Sequence, residues 1–120
     1  MKTEQERLEY INTTCNTNYE SMDEVNWGYH SMYTKLPEHF IREFSDKVDW
    51  EYISYYQQLS EPFIREFAHK VDWNDVSTSQ KLPLTSIVKY AKYLNWTKVY
   101  YNNNNFKDYI IDSCKAKFKI

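Results

Sequence analysis

L-P-E-H-F-I-R-E-F-S-D-K-V-D-W-E-Y-I-S-Y-Y-Q-Q (Leu36–Gln58) is followed without a gap by L-S-E-P-F-I-R-E-F-A-H-K-V-D-W-N-D-V-S-T-S-Q-K (Leu59–Lys81). Thirteen of the 23 positions are identical, including F-I-R-E-F (Phe40–Phe44, Phe63–Phe67) and K-V-D-W (Lys47–Trp50, Lys70–Trp73). A fixed period of this size marks a repeat architecture, in which each unit buries its apolar face against its neighbours. Such an array points to a binding scaffold and away from an enzyme.

The step of 23 extends outward in both directions. It aligns Trp27, Trp50, Trp73 and Trp96 in one column, preceded by Asn26, Asp49, Asp72 and Asn95. The third copy has drifted, with Leu82, Ile87, Tyr90 and Leu94 standing for Leu59, Ile64, Phe67 and Val71. Phe106, Ile110, Ile111, Cys114, Phe118 and Ile120 form a final half-copy, displaced by one residue at the Asn102–Asn105 run. The expected organisation is one domain: an N-terminal helix and loop over 1–17, repeats over 18–105 and a C-terminal capping helix over 106–120.

Each copy reads as two short helices, giving an all-α fold, a small α-solenoid of stacked helix pairs with degenerate ends. Leu36, Phe40, Ile41, Phe44 and Val48 have the spacing of one helical face. Pro37-Glu38 and Ser60-Glu61-Pro62 are start signals, and Asp49 and Asp72 are expected to cap a second helix that begins at the Trp. On that helix Trp50, Ile53, Ser54 and Gln57 share a face, and the small Ser31, Ser54 and Ser77 allow a neighbouring helix to approach closely. Thr3-Glu4-Gln5-Glu6 reads as a capping box opening a helix through Leu8 and Ile11, with Asn12–Asn18 as a loop.

The chain has 120 residues and a net charge of −2. That balance conceals a split: residues 1–79 carry −8, whereas 80–120 carry +6. In a rod-like array one end is then acidic and the other basic, so steering acts end-on. No apolar run approaches the roughly 20 residues that span a bilayer, and no apolar leader opens the chain. The expected location is therefore intracellular, in the cytoplasm, without membrane attachment. The sequons at Asn12 and Asn95 are then chance matches. Cys15 and Cys114 lie at opposite ends of the array and are expected to be free thiols.

With one glycine, Gly28, a phosphate-cradling loop is excluded, and the two distant cysteines give no zinc spacing. His30 falls in the column of Ile53 and reads as a partly buried histidine; His39 and His69 read as surface residues. No cofactor, metal site or catalytic constellation is expected, because an active site needs one constellation rather than one per repeat. The recurring Trp and Phe are core. The columns facing away from the core vary between copies: Tyr29, Tyr52, Asp75, Lys98 and Met32, Tyr55, Thr78, Tyr101 on the second helix, with Arg42, Arg65, Val88 and Asp46, His69, Lys92 on the first. Exposed Tyr beside Arg is enriched at protein interfaces. The expected partner-binding residues are Tyr52, Tyr55, Arg42, Arg65, Lys89, Lys92, Lys98 and Tyr101.

The phrase L-S-E-P-F-I-R-E-F-A-H-K-V-D-W-N-D-V-S-T-S-Q-K resembles a short helical repeat found in tandem in proteins of giant DNA viruses and some phages, L-S-E-x-F-I-x-E-F-x-x-K-V-x-W-x-x-I-S in outline. The match is close over 36–81, looser over 82–105 and poor before Asn26. The resemblance implies a protein of viral or mobile-element type. It carries no assigned chemistry, and so transfers no functional residue. Small proteins of that origin often block a host factor, which makes a host protein the expected partner, including nucleases or ribonucleoprotein complexes of defence such as CRISPR effectors. The alternatives are direct nucleic-acid binding, through Lys89, Lys92, Lys98, Lys115, Lys117 and Lys119 with Tyr100 and Tyr101, or a structural spacer in a larger assembly.

Overall fold

The computed structural model describes residues 2–102. Among these residues the fold is all-helical, an elongated body with principal extents of 53 × 25 × 18 Å. After α1 (Glu4–Cys15) and a single 3-10 turn (Met22–Glu24), short helices follow in pairs: α2 (Trp27–Tyr33), α3 (Glu38–Glu43), α4 (Trp50–Tyr56), α5 (Glu61–Glu66), α6 (Trp73–Ser79), α7 (Leu84–Lys89) and α8 (Trp96–Asn102). The Trp-headed helices stack in chain order, α2 on α4 on α6 on α8. This stack is the spine of a small helical-repeat solenoid, and α3, α5 and α7 form a second row. Because neighbours in sequence are neighbours in space, the charge of the described residues, −8 over 2–79 and +4 over 80–102, becomes a gradient along the long axis.

Asp49 and Asp72 cap α4 and α6 as expected, and Asn26 and Asn95 of the same column cap α2 and α8. The side chains of Asn26, Asp49 and Asp72 accept the backbone N–H of Tyr29, Tyr52 and Asp75. Ile53, Ser54, Val76 and Ser77 are fully buried on the inner face. The second-row helices are shorter than the apolar spacing predicts. Leu36 and Val48 are buried, yet both lie outside α3. Pro37 stands at the start, and after Phe44 the chain leaves the helix in a tight turn whose Lys47 and Val48 amides both donate to the Phe44 carbonyl. Conversely α1 runs through Cys15, four residues into the expected loop, and ends on Asn16 in the left-handed conformation (φ 57°) that Asn tolerates.

The tryptophans join one repeat to the next. Trp50 lies against Phe63 and Phe67 with ring centroids 6.3 and 5.2 Å away, and Trp73 lies against Tyr90 and Tyr93. Each indole N–H donates back to a carbonyl five residues earlier, Ser45 for Trp50 and Ala68 for Trp73. Both indoles are half-buried, whereas Trp96, which makes the same bond to the Ala91 carbonyl, is buried.

A ladder of side-chain-to-backbone hydrogen bonds runs through the stack. The hydroxyls of Ser31, Ser54 and Ser77 accept the backbone N–H of Asp49, Asp72 and Asn95, the cap residues of the following spine helix, at 2.9–3.0 Å. At the other end of each helix, Gln57 Nε2 donates to the carbonyls of Ser31 and Thr34 while its Oε1 accepts the N–H of Leu36. Gln80 repeats this set on Ser54, Gln57 and Leu59. Helix ends leave backbone groups unpaired, and in this stack the next repeat supplies their partners. Asn102 takes the place of the third Gln, donating to the carbonyls of Ser77 and Gln80.

The N-terminal end improvises the same bonds. No serine precedes Asn26 at the repeat spacing, and its N–H donates instead to the phenol oxygen of Tyr19. That phenol lies 2.8 Å from His30 Nε2, and His30 Nδ1 lies 2.7 Å from the Thr34 hydroxyl. Asn12 fixes Tyr19 by pairing with both its N–H and its carbonyl. His30 is buried as expected, and burial lowers its pKa below the ordinary value.

Candidate functional site

The ladder and the core occupy the inner side of the spine, and its outer side displays tyrosines. Tyr29, Tyr33, Tyr55 and Tyr56 are exposed on α2 and α4, and Tyr100 and Tyr101 on α8. They form clusters of their own: the Tyr55 and Tyr56 rings are 4.7 Å apart, Tyr52 and Tyr56 are 6.0 Å apart, and Tyr29 and Tyr33 are 5.2 Å apart. Placing that many aromatic rings at the surface leaves apolar area wet, which is a mark of an interaction surface.

Three concavities open along this edge. One of about 280 Å³ lies at the ends of α2 and α4, between Tyr33, Thr34, Lys35, Tyr56 and Gln58. A second of about 310 Å³ lies one repeat on, between Tyr56, Gln57, Gln58, Ser79, Gln80 and Lys81. These two are copies of each other at the 23-residue step, because α2, α4 and α6 end at the same register, on Thr34, Gln57 and Gln80, and so create the same notch. The third, of about 200 Å³, is bounded by Glu51, Tyr52, Tyr55, Tyr56 and Asp75. Tyr56, half-exposed, walls all three.

The third concavity is electrostatically distinct. Asp75 has its carboxyl pKa raised, first by burial and then by the charges of Asp72 and Glu51, while Lys98 pulls the other way. Negative charge is therefore crowded against three phenol rings. Among the described residues, no three His, Cys, Asp or Glu side chains are placed to hold a metal ion.

The expected binding residues fall into two groups. Tyr52, Tyr55, Lys98 and Tyr101 ride on the spine, and the first two line the acidic concavity. Arg42, Arg65 and Lys89 ride on the second row, with Lys92 in the turn after α7, away from that edge. Arg42 is engaged by Glu66 of the next repeat through three hydrogen bonds of 2.9–3.2 Å, and Arg65 pairs with Glu61 in its own helix. The pairing does not continue, because the position after Glu66 in its column is Lys89, which lies over the Tyr90 ring instead. Lys115, Lys117 and Lys119 lie outside the described residues, as do Cys114 and the expected capping helix.

Sequence reasoning missed Tyr33 and Tyr56. The signal available for them was the position itself, the last residue before the column of Thr34, Gln57 and Gln80. No helix among the described residues is long and apolar enough to cross a membrane. Comparison with protein-family models, curated proteins and solved structures finds no match.

Proposed function

We propose that this chain is a non-catalytic binding protein that docks a protein partner on the tyrosine edge of its spine. The carrying observation is Tyr56: a half-exposed aromatic that walls three adjoining concavities and adds nothing to the buried core. Aromatic side chains supply large contact area at low entropic cost, which is why Tyr dominates interface hot spots. Nucleic acid fits this edge less well, since Glu51 and Asp75 set carboxylates among the rings where phosphates would approach. The resemblance of the repeat to those of viral and phage proteins favours a host protein as partner and inhibition or adaptation of it as the outcome, with defence nucleases and ribonucleoprotein complexes as the first class to test.

The test is capture of host proteins by the immobilised chain, with and without nuclease treatment, compared with a Tyr55→Ala/Tyr56→Ala variant. We expect a partner that survives nuclease and is lost with the variant, whose helical content and melting stay close to wild type. Truncating a central interface tyrosine costs about 2 kcal/mol or more of binding. A partner retained fully by the variant would refute the edge. One released by nuclease would transfer the reading to nucleic acid.

A further inference from the structure

We propose that the concavity bounded by Glu51, Tyr52, Tyr55, Tyr56 and Asp75 receives an arginine side chain from an exposed segment of the partner, a proposal that rests on the protein-binding reading above. The walls supply the two things a guanidinium takes and little else does: aromatic faces for its flat sides and carboxylates for its N–H edge. Glu51 and Asp75 come from successive spine helices, and neither forms a salt bridge within the fold among the described residues. The Asp72 carboxylate is already committed to capping the Asp75 N–H, so it adds negative potential without being free to pair. Lys98 moderates that potential from the following repeat.

The form of the concavity narrows the occupant. At about 200 Å³ it holds a side chain and not a helix or strand. The carboxylates do not converge with a third ligand as a bound metal requires. An ammonium would satisfy the charge, but its compact, strongly hydrated head makes less use of three rings than a planar guanidinium does. The occupant's neighbours then lie along the two repeat-spaced notches, which share the Tyr56 wall.

The pocket is tested on the full chain, labelled with ¹⁵N and titrated with N-acetyl-arginine amide, using the neutral isostere N-acetyl-citrulline amide as control. The expected result is saturable shifts confined to the amides of 51–56 and 75, at about millimolar affinity, and no comparable shifts with citrulline. Glu51→Gln/Asp75→Asn should weaken binding about tenfold or more, while Glu4→Gln on the exposed side of α1 should leave it unchanged. Glu51 is exposed, so the single Glu51→Gln variant serves the same readout if the double variant fails to fold. Equal shifts with citrulline, no saturable shifts, or unchanged affinity in the Glu51 and Asp75 variants would overturn the pocket. Host-partner capture separates the two readings: loss in Tyr55→Ala/Tyr56→Ala but not in Glu51→Gln/Asp75→Asn removes the arginine and leaves the tyrosine edge standing.

Discussion

Replacing Gln80 by Met tests the physical account of the stack most directly. Gln80 is 4% exposed; its Oε1 accepts from Leu59 N–H at 3.1 Å, and its Nε2 donates to the carbonyls of Ser54 and Gln57 at 2.9 and 2.6 Å. Met keeps the length and apolar volume of the side chain but none of these bonds. Three hydrogen bonds at about 1 kcal/mol net each give about 3 kcal/mol, and leaving buried backbone groups without partners pushes the cost towards 5. Gln80→Glu is the sharper probe. Its carboxylate can still accept from Leu59 but confronts two carbonyl oxygens, so at neutral pH it should destabilise more than Met does. On acidification the protonated acid can donate to one of those carbonyls, and the gap to Met should narrow. Urea unfolding followed by circular dichroism and tryptophan fluorescence measures all three, with the exposed Gln58→Met as a control expected within about 0.5 kcal/mol of wild type. A Gln80→Met protein as stable as that control would refute the ladder as a source of stability.

Ser54→Ala should cost about 1–2 kcal/mol, because the part-buried Asp72 N–H loses its acceptor at 2.9 Å; thermal melting checks it. Ser86→Ala should instead stabilise by about 1 kcal/mol in the same assay: Ser86 stands in the column of Phe40 and Phe63, and its buried hydroxyl has no hydrogen-bond partner among the described residues. For His30 the folded pKa is lowered by burial, so the unfolded chain binds the proton more readily. Its contribution should be fully present above the ordinary histidine range near pH 6.5 and be lost as pH falls through the lower folded value, and His30→Ile should remove that slope from a plot of unfolding free energy between pH 7 and 5.

Much of the fold is legible because one period fixes the same choices three times over. Asp and Asn before each Trp mark the spine-helix starts, and Ile53, Ser54 and Gln57 occupy the inner face that periodicity assigns them. The lengths of the second-row helices were not legible. Apolar spacing over Leu36–Val48 is met equally by a long helix and by a short one whose flanks present Leu36 and Val48 to the same core. Pro37 and the turn after Phe44 decide for the latter. The role of Gln57 was hidden for a different reason. Its partners Ser31 and Thr34 lie 26 and 23 residues away, and only the stacking geometry brings their carbonyls within reach. Tyr56 was overlooked because its importance belongs to the notches on either side of it, which exist only once two repeats are stacked. Arg42 reads in sequence as an outward recognition residue, whereas in the structure Glu66 of the next repeat engages it.

The chemistry that holds the repeats together also explains why the outer surface is free to vary. Stacking of the spine uses Ser, Gln and the capping Asp, together with apolar residues that point inward. The outward positions of α4 and α6 differ almost completely: Tyr52, Tyr55 and Tyr56 against Asp75, Thr78 and Ser79. Yet α6 packs on α4 and on α8 to the same extent as α4 packs on α2. The backbone register of the stack is therefore kept without the tyrosines, and α6 shows what the edge looks like in their absence. Where the aromatic helix meets the polar one, Tyr52 and Tyr55 of one repeat come to face Asp75 of the next. The acidic concavity is thus a product of divergence between two copies held in fixed register. A repeat whose contacts run through the backbone can change its outer residues one copy at a time, and a pocket of new chemistry arises at the boundary without disturbing the stack that supports it.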